Sequence, residues 1–198
     1  MGYASTVTRS ALAADLARAY RYASGSRAHR IAVCVRSPGV HAVMAHRFGR
    51  WLLGRPLWIR LPLEPFYVVL DLLVHALWGI EISRRARIGG GLYLAHAGGI
   101  VVGAGAVIGA NCNLSHDVTV GMAGHGEKFG VPVIGDDVYI APGAKLFGRI
   151  RVGDNAKIGA NTVIHRDVPS NAVVVLDPGF HIVSFKGNRR GAALQRAS

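Results

Sequence analysis

The sequence predicts a mainly β protein: a left-handed parallel β-helix carried behind an N-terminal α-helical cap. Three observations point there. Six of the 26 glycines fall in residues 1–79, whereas nineteen fall in residues 80–187. From Gly79 onward aliphatic residues recur every sixth position, and small or β-branched residues stand two places before most of them. No 3.6-residue periodicity runs through that stretch, and its glycine density would break a helix.

The first part reads as helices. Ala11–Ala23 carries Leu12, Leu16 and Tyr20 at i, i+4 and i+8, an amphipathic stripe. Ser37-Pro38-Gly39 marks a turn and a helix start, and Val40–Leu53 lines Val40, Val43, Met44, Phe48, Trp51 and Leu52 along one face. Pro56, Pro62 and Pro65 punctuate the next stretch, so a third helix is expected only over Phe66–Trp78.

The repeat then begins. Ile82, Ile88, Leu94 and Ile100 form one register, and after a two-residue slip Val102, Ile108, Leu114 and Val120 form a second. A third runs through Ile134, Ile140, Leu146, Val152, Ile158 and Ile164. Each six residues supply one short strand and a corner; three sides close a coil of about 18 residues, with the aliphatic anchor stacked inward on the one below. Residues 1–79 are thus read as the helical region, 80–187 as the β-helix and 188–198 as a disordered tail. The interruption Met122–Val133 sits where one further anchor is expected, and suits either a solvated excursion or a flap over a groove, with His125 and Lys128 as substrate-facing candidates.

Composition narrows the function. The chain is 51% hydrophobic and 17% charged, far from the signature of disorder. Its charge of +12 comes from 23 basic residues, nineteen of them Arg, yet no compact basic run is interleaved with aromatics, which argues against nucleic acid as partner. A phosphate-bearing cofactor or an anionic membrane surface accounts for the bias. Cys34 and Cys112 match neither a disulfide framework nor a metal-binding pair of pairs. Met1–Ala23 lacks the apolar stretch of a secretory leader, and Phe66–Trp78 is too short and too interrupted to span a bilayer. A cytoplasmic protein, at most resting on the inner face of a membrane, is expected.

His96 lies two residues past Leu94, and His116 two past Leu114. Counting hexads and removing the slip places them one coil apart, so the imidazoles should stack about 5 Å apart on one face. Glu81, on the coil beneath, could fix a ring tautomer and steady the imidazolium.

The stretch Gly79–Val168 resembles hexapeptide acyltransferases of the serine acetyltransferase type. The similarity is carried by Gly79-Ile80-Glu81-Ile82, Leu94-Ala95-His96-Ala97-Gly98-Gly99-Ile100, Val118-Thr119-Val120-Gly121, Ile140-Ala141-Pro142-Gly143-Ala144, and Val152-Gly153-Asp154-Asn155-Ala156-Lys157-Ile158-Gly159-Ala160, with Pro38–Trp51 upstream. It implies a homotrimer with acetyl-CoA as co-substrate between neighbouring β-helices and no metal. His96 falls on the family's catalytic base and Glu81 on its orienting carboxylate; Gly121, Pro142 and Ala160 fall on cofactor contacts, with Lys157 a candidate for phosphate. Zinc hydratases on the same scaffold are a poorer match, because the position five after His116 is Gly121 rather than a ligand.

Three departures bear on the acceptor. The residue before the base, an aspartate in the family, is Ala95; the loop's Arg-His pair is Gly130-Val131; and the closing turn is altered to Leu176-Asp177-Pro178-Gly179-Phe180. With His116 ahead of Val118-Thr119-Val120-Gly121, the pattern is similar to exopolysaccharide (colanic acid-like) O-acetyltransferases. The expectation is therefore acetyl transfer to a hydroxyl of a small acceptor, first a sugar of a polysaccharide precursor. Serine O-acetylation is the alternative and a non-catalytic scaffold the second. His116 is expected to assist catalysis or to hold the acceptor.

Overall fold

A computed structural model of the chain describes residues 3–176. Four helices come first: α1 (Tyr3–Tyr22), α2 (Arg27–Arg36), α3 (Pro38–Leu53) and α4 (Leu57–Trp78). Ser26 caps α2 by accepting the His29 N–H, and Ser37 caps α3 by accepting that of Val40, with Pro38 in the first turn. Gly79, at φ 60°, ends α4 and returns its N–H to the His75 carbonyl, a left-handed cap that turns the chain into the first strand.

The helical expectations are corrected in two places. α2 is an additional helix: no expectation covered residues 24–36, and its apolar side chains Ile31, Val33 and Val35 stand exposed rather than buried. α4 begins nine residues before Phe66 and runs through Pro62 and Pro65. Both prolines are exposed, as are Trp58 and Leu61, whose carbonyls lose their i+4 donors. The missing bonds therefore face the solvent side, where water can serve them.

Fourteen short strands come next among the described residues: β1 (Ile80–Ile82), β2 (Arg87–Ile88), β3 (Tyr93–Leu94), β4 (Ile100–Val102), β5 (Val107–Ile108), β6 (Asn113–Leu114), β7 (Thr119–Gly121), β8 (Val133–Ile134), β9 (Tyr139–Ile140), β10 (Lys145–Phe147), β11 (Arg151–Val152), β12 (Lys157–Ile158), β13 (Val163–Ile164) and β14 (Val173–Val174). They stack in parallel as three sheets: β1-β4-β7-β10-β13 (the first face), β2-β5-β8-β11 (the second) and β3-β6-β9-β12-β14 (the third). This is the parallel β-helix that the six-residue repeat predicts. Anchors such as Ile100, Ile108, Leu114, Val120, Ile140, Leu146 and Ile158 are fully buried, and the small residues before them, Ala86, Ala106, Ala144 and Ala156, fill the corners. Asn111, Asp117, Asp137, Asn155, Asn161 and Asn171 take positive φ at corners, the conformation that short polar side chains tolerate best.

The registers refine the repeat count. Ile82 lies beneath Val102 and Ile80 beneath Ile100, so the slip inserts two residues into the first coil rather than ending a register. Ile134 lies on Ile108, in the second face. The segment 122–133 therefore skips no anchor; it is a pure insertion between the first and second faces. The tail 188–198 and most of the closing turn lie outside the described residues.

The cap is fastened to the first coil by a buried ion pair. Arg47 Nε donates to Asp15 at 2.8 Å and its other nitrogens to the carbonyls of Ile88 and Gly89, while Asp15 also accepts the Leu92 N–H at 2.8 Å. Beside it, burial and the charges of Arg47 and Arg50 push His46 down from 6.5 to about 3. The unfolded chain takes up this proton near pH 6.5 and the folded one only near 3, so His46 favours the folded state fully above pH 6.5 and progressively less as pH falls toward 3. Urea unfolding across that window should show stability falling by up to about 1.4 kcal/mol per pH unit through this group. The His46→Leu variant should lose that part of the slope.

Candidate active site

The third face sets the geometry. Leu94, Leu114, Ile140 and Ile158 stand in vertical register. Two residues beyond each comes the corner leading to the first face, and those corner residues are His96, His116, Pro142 and Ala160. The proposed base, the second histidine and two proposed cofactor contacts thus fall on one edge of the prism, spanning about 14 Å at the strand spacing. Backbone bonds tie the corners together: the Gly143 N–H reaches the His116 carbonyl at 3.1 Å and that of Asn161 the Pro142 carbonyl at 2.9 Å.

His96 is exposed and His116 half-buried, with ring centroids 5.7 Å apart and planes at 75°. The expected one-coil stacking is present, edge to face. His116 Nδ1 is buried without a hydrogen-bond partner among the described residues. The two inserted residues fall between His96 and β4, where Gly98 (φ 103°) and Gly99 (φ 64°) let the corner bulge. Asp117 serves the turn beneath: it sits at φ 57°, its N–H donates to the Gly98 carbonyl, and its carboxylate occupies the space a side chain at Gly99 would need.

Glu81 lies on the outer side of β1, beneath Val101, and is exposed. Among the described residues it forms neither a hydrogen bond nor an ion pair with His96. Gly121 ends β7 beside Phe147, and an added Cβ would stand 2.8 Å from that ring, so only glycine leaves the space open. Lys157 projects from β12 into solvent. Pro142 and Ala160 leave this edge small above His116, room enough for a slender cofactor arm.

The insertion is a closed hairpin. Ala123 and Gly130 exchange two backbone hydrogen bonds of 3.1 Å, and a 3-10 turn at Gly126–Lys128 forms its tip, with His125 exposed just before it. It leaves the edge between the first and second faces, whereas His96 and His116 occupy the edge between the third and first. Within one chain the positions of His125 and Lys128 are therefore not brought to the histidines. Arg149 escaped the sequence reading. Its side chain packs against Gly130, and its guanidinium donates to the Glu127 carbonyl at 3.5 Å. Counting coils in register, rather than reading motifs, would have found it.

Other nucleophiles are poorly placed. Burial pushes the Cys112 thiol up to about 11, leaving it protonated at neutral pH. No group of three or more metal-ligating side chains occurs among the described residues.

Comparison with known proteins agrees with the fold. Residues 132–166 match the family model "Bacterial transferase hexapeptide (six repeats)". The serine acetyltransferase of Helicobacter pylori is 36% identical over 141 residues, covering 70% of this chain and 77% of that one. That of Synechococcus elongatus is 38% identical over 142 residues, covering 72% and 56%. Among solved structures, Neisseria gonorrhoeae serine acetyltransferase in complex with serine superposes with a TM-score of 0.71 at 34% identity, covering 87% of this chain and 68% of that one. The chain spans less than two thirds of the cyanobacterial relative, and these matches, all to serine acetyltransferases, lend no support to the expected likeness to exopolysaccharide O-acetyltransferases. By sequence and by fold, the chain belongs to the hexapeptide-repeat transferases, as a relative of the serine acetyltransferases.

Proposed function

We propose that this chain transfers an acetyl group from acetyl-CoA to the hydroxyl of a small acceptor, and that the acceptor is serine. The observation that carries the reading is the single edge shared by His96, His116, Pro142 and Ala160, which sets a proton-accepting imidazole in line with a small apolar track. Acetyl-CoA supplies the thioester carbonyl. His96 takes the proton of the acceptor hydroxyl as its oxygen attacks, and returns it to the departing thiolate, so no acyl group resides on the protein. Glu81, which makes no hydrogen bond to His96 in this structure, would orient that ring on acceptor binding, and His116 shapes the acceptor side. A homotrimer is part of the proposal, because only a neighbouring copy could bring the hairpin, with His125 and Lys128, to the histidine edge.

A free amino acid needs a cation for its carboxylate. Gly130 and Val131 supply none, but Arg149, lying against Gly130, can. Arg149→Gln should therefore raise KM for serine about tenfold or more, the value of a charge-assisted contact, with a smaller change in kcat. An unchanged KM would remove Arg149 from the acceptor site. One feature favours a second reading: Ala95, exposed beside His96, offers no anion to an ammonium group. A neutral sugar hydroxyl would have no need of one. Thiol release from acetyl-CoA, followed with serine, other amino acids, simple sugars and nucleotide sugars, decides between them. Release with serine alone supports the proposal, release with sugars alone supports the second reading, and the absence of release with every acceptor returns the fold to a binding scaffold.

A further inference from the structure

The longest helix of the cap turns an uncharged apolar face to solvent. On α4 the side chains of Leu57, Trp58, Leu61, Val69, Leu72 and Leu77 are exposed, Trp58 at 76%, Leu61 at 67% and Leu72 at 63%. The helix has 22 residues, about 33 Å of length, and only Tyr67 and Val74 are buried. Its charges all turn away from this face into local pairs: Arg60 with Glu64, Glu64 with Arg84 at 2.5 Å, and Asp71 with the Tyr67 hydroxyl at 3.3 Å. A face of this extent on a soluble protein marks a contact surface.

Charge identifies what covers it. Residues 1–79 hold ten arginines and three carboxylates. All three carboxylates are engaged internally, Asp15 beneath Arg47, Glu64 between Arg60 and Arg84, and Asp71 at the Tyr67 hydroxyl. Arg55, just before α4, lies over the Trp51 ring 4.8 Å from its centroid, and Arg21, Arg27 and Arg36 are exposed elsewhere on the cap, on α1 and α2. A second copy laid face to face would set one basic cap against another. An anionic bilayer surface complements both the charge and the apolar strip, and Trp58 has the amphipathic ring suited to the headgroup boundary. No helix among the described residues is long and apolar enough to cross a membrane. We propose that α4 lies in the plane of an anionic lipid surface, with its Leu57–Leu77 face at the headgroup boundary, where water still reaches the Trp58 and Leu61 carbonyls, and the β-helix held above it.

Flotation of the full chain with phosphatidylcholine vesicles, with and without phosphatidylglycerol, tests this. The chain should float with the phosphatidylglycerol vesicles, less so in added salt, and Trp emission should shift to the blue and be quenched by brominated acyl chains. The combined Leu61→Glu and Leu72→Glu variant, its fold checked by circular dichroism, should bind about tenfold less or weaker still. Absence of flotation, or equal flotation of the variant, would overturn the proposal. So would a large wild-type assembly that the variant splits without any lipid binding, which would make the face a self-pairing surface. If the variant does not fold, the quenching of wild-type Trp emission still decides. Thiol release with a soluble acceptor is read separately, so failure of the acetyl-transfer assignment and failure of lipid binding are distinguishable.

Discussion

The His96→Ala variant should turn over about 10²–10⁴ times more slowly than the wild type, the usual contribution of a positioned general base. His96 is exposed at a corner and makes none of the anchor contacts of the core, so the melting temperature and the oligomeric state should stay unchanged. Steady-state thiol release with the best acceptor, beside a melting curve of the same sample, measures both. Equal rates would end the assignment of His96. A large loss in His116→Ala as well would show that the 5.7 Å pair acts together; a change confined to KM would leave His116 as an acceptor contact.

The second large effect is structural. Asp15→Ala should cost about 3–5 kcal/mol, because it leaves the Arg47 guanidinium buried without its counter-charge. The side chains of Arg47 and Asp15 are only 5% and 3% exposed. The same change strips the acceptor from the Leu92 N–H. Urea unfolding should show the loss. Adding Arg47→Met should recover part of it, since removing both charges is far less harmful than stranding one. A cost below about 1 kcal/mol would mean the pair contributes no more than a surface ion pair.

The β-helix was legible because its signal is redundant: every coil repeats an aliphatic anchor and a small corner residue, and a period of six has no competing interpretation. The histidine pair was legible for the same reason, since once the two-residue slip is removed, counting from Leu94 and Leu114 fixes His96 and His116 one coil apart. Where redundancy ended, the reading slipped. Ile134 could not be assigned to a face until the hairpin's length was known to be an insertion. α2 is short and its apolar side chains pack against nothing that buries them, and α4 passes through two prolines whose cost falls on solvent-facing carbonyls. Arg149 belongs to no motif; its proposed role rests on Gly130, a neighbour nineteen positions earlier that only the folded coil brings near.

The Ala123–Gly130 neck has a consequence for how such a molecule can change. Two backbone bonds cinch the excursion at its base, and the spiral resumes on the adjoining side as though nothing had been added. Whatever the loop tip presents is thereby uncoupled from the scaffold's winding. Lengthening, shortening or exchanging it should leave every stacked anchor where it was, so an acceptor contact carried there, as proposed, could change without renegotiating the core.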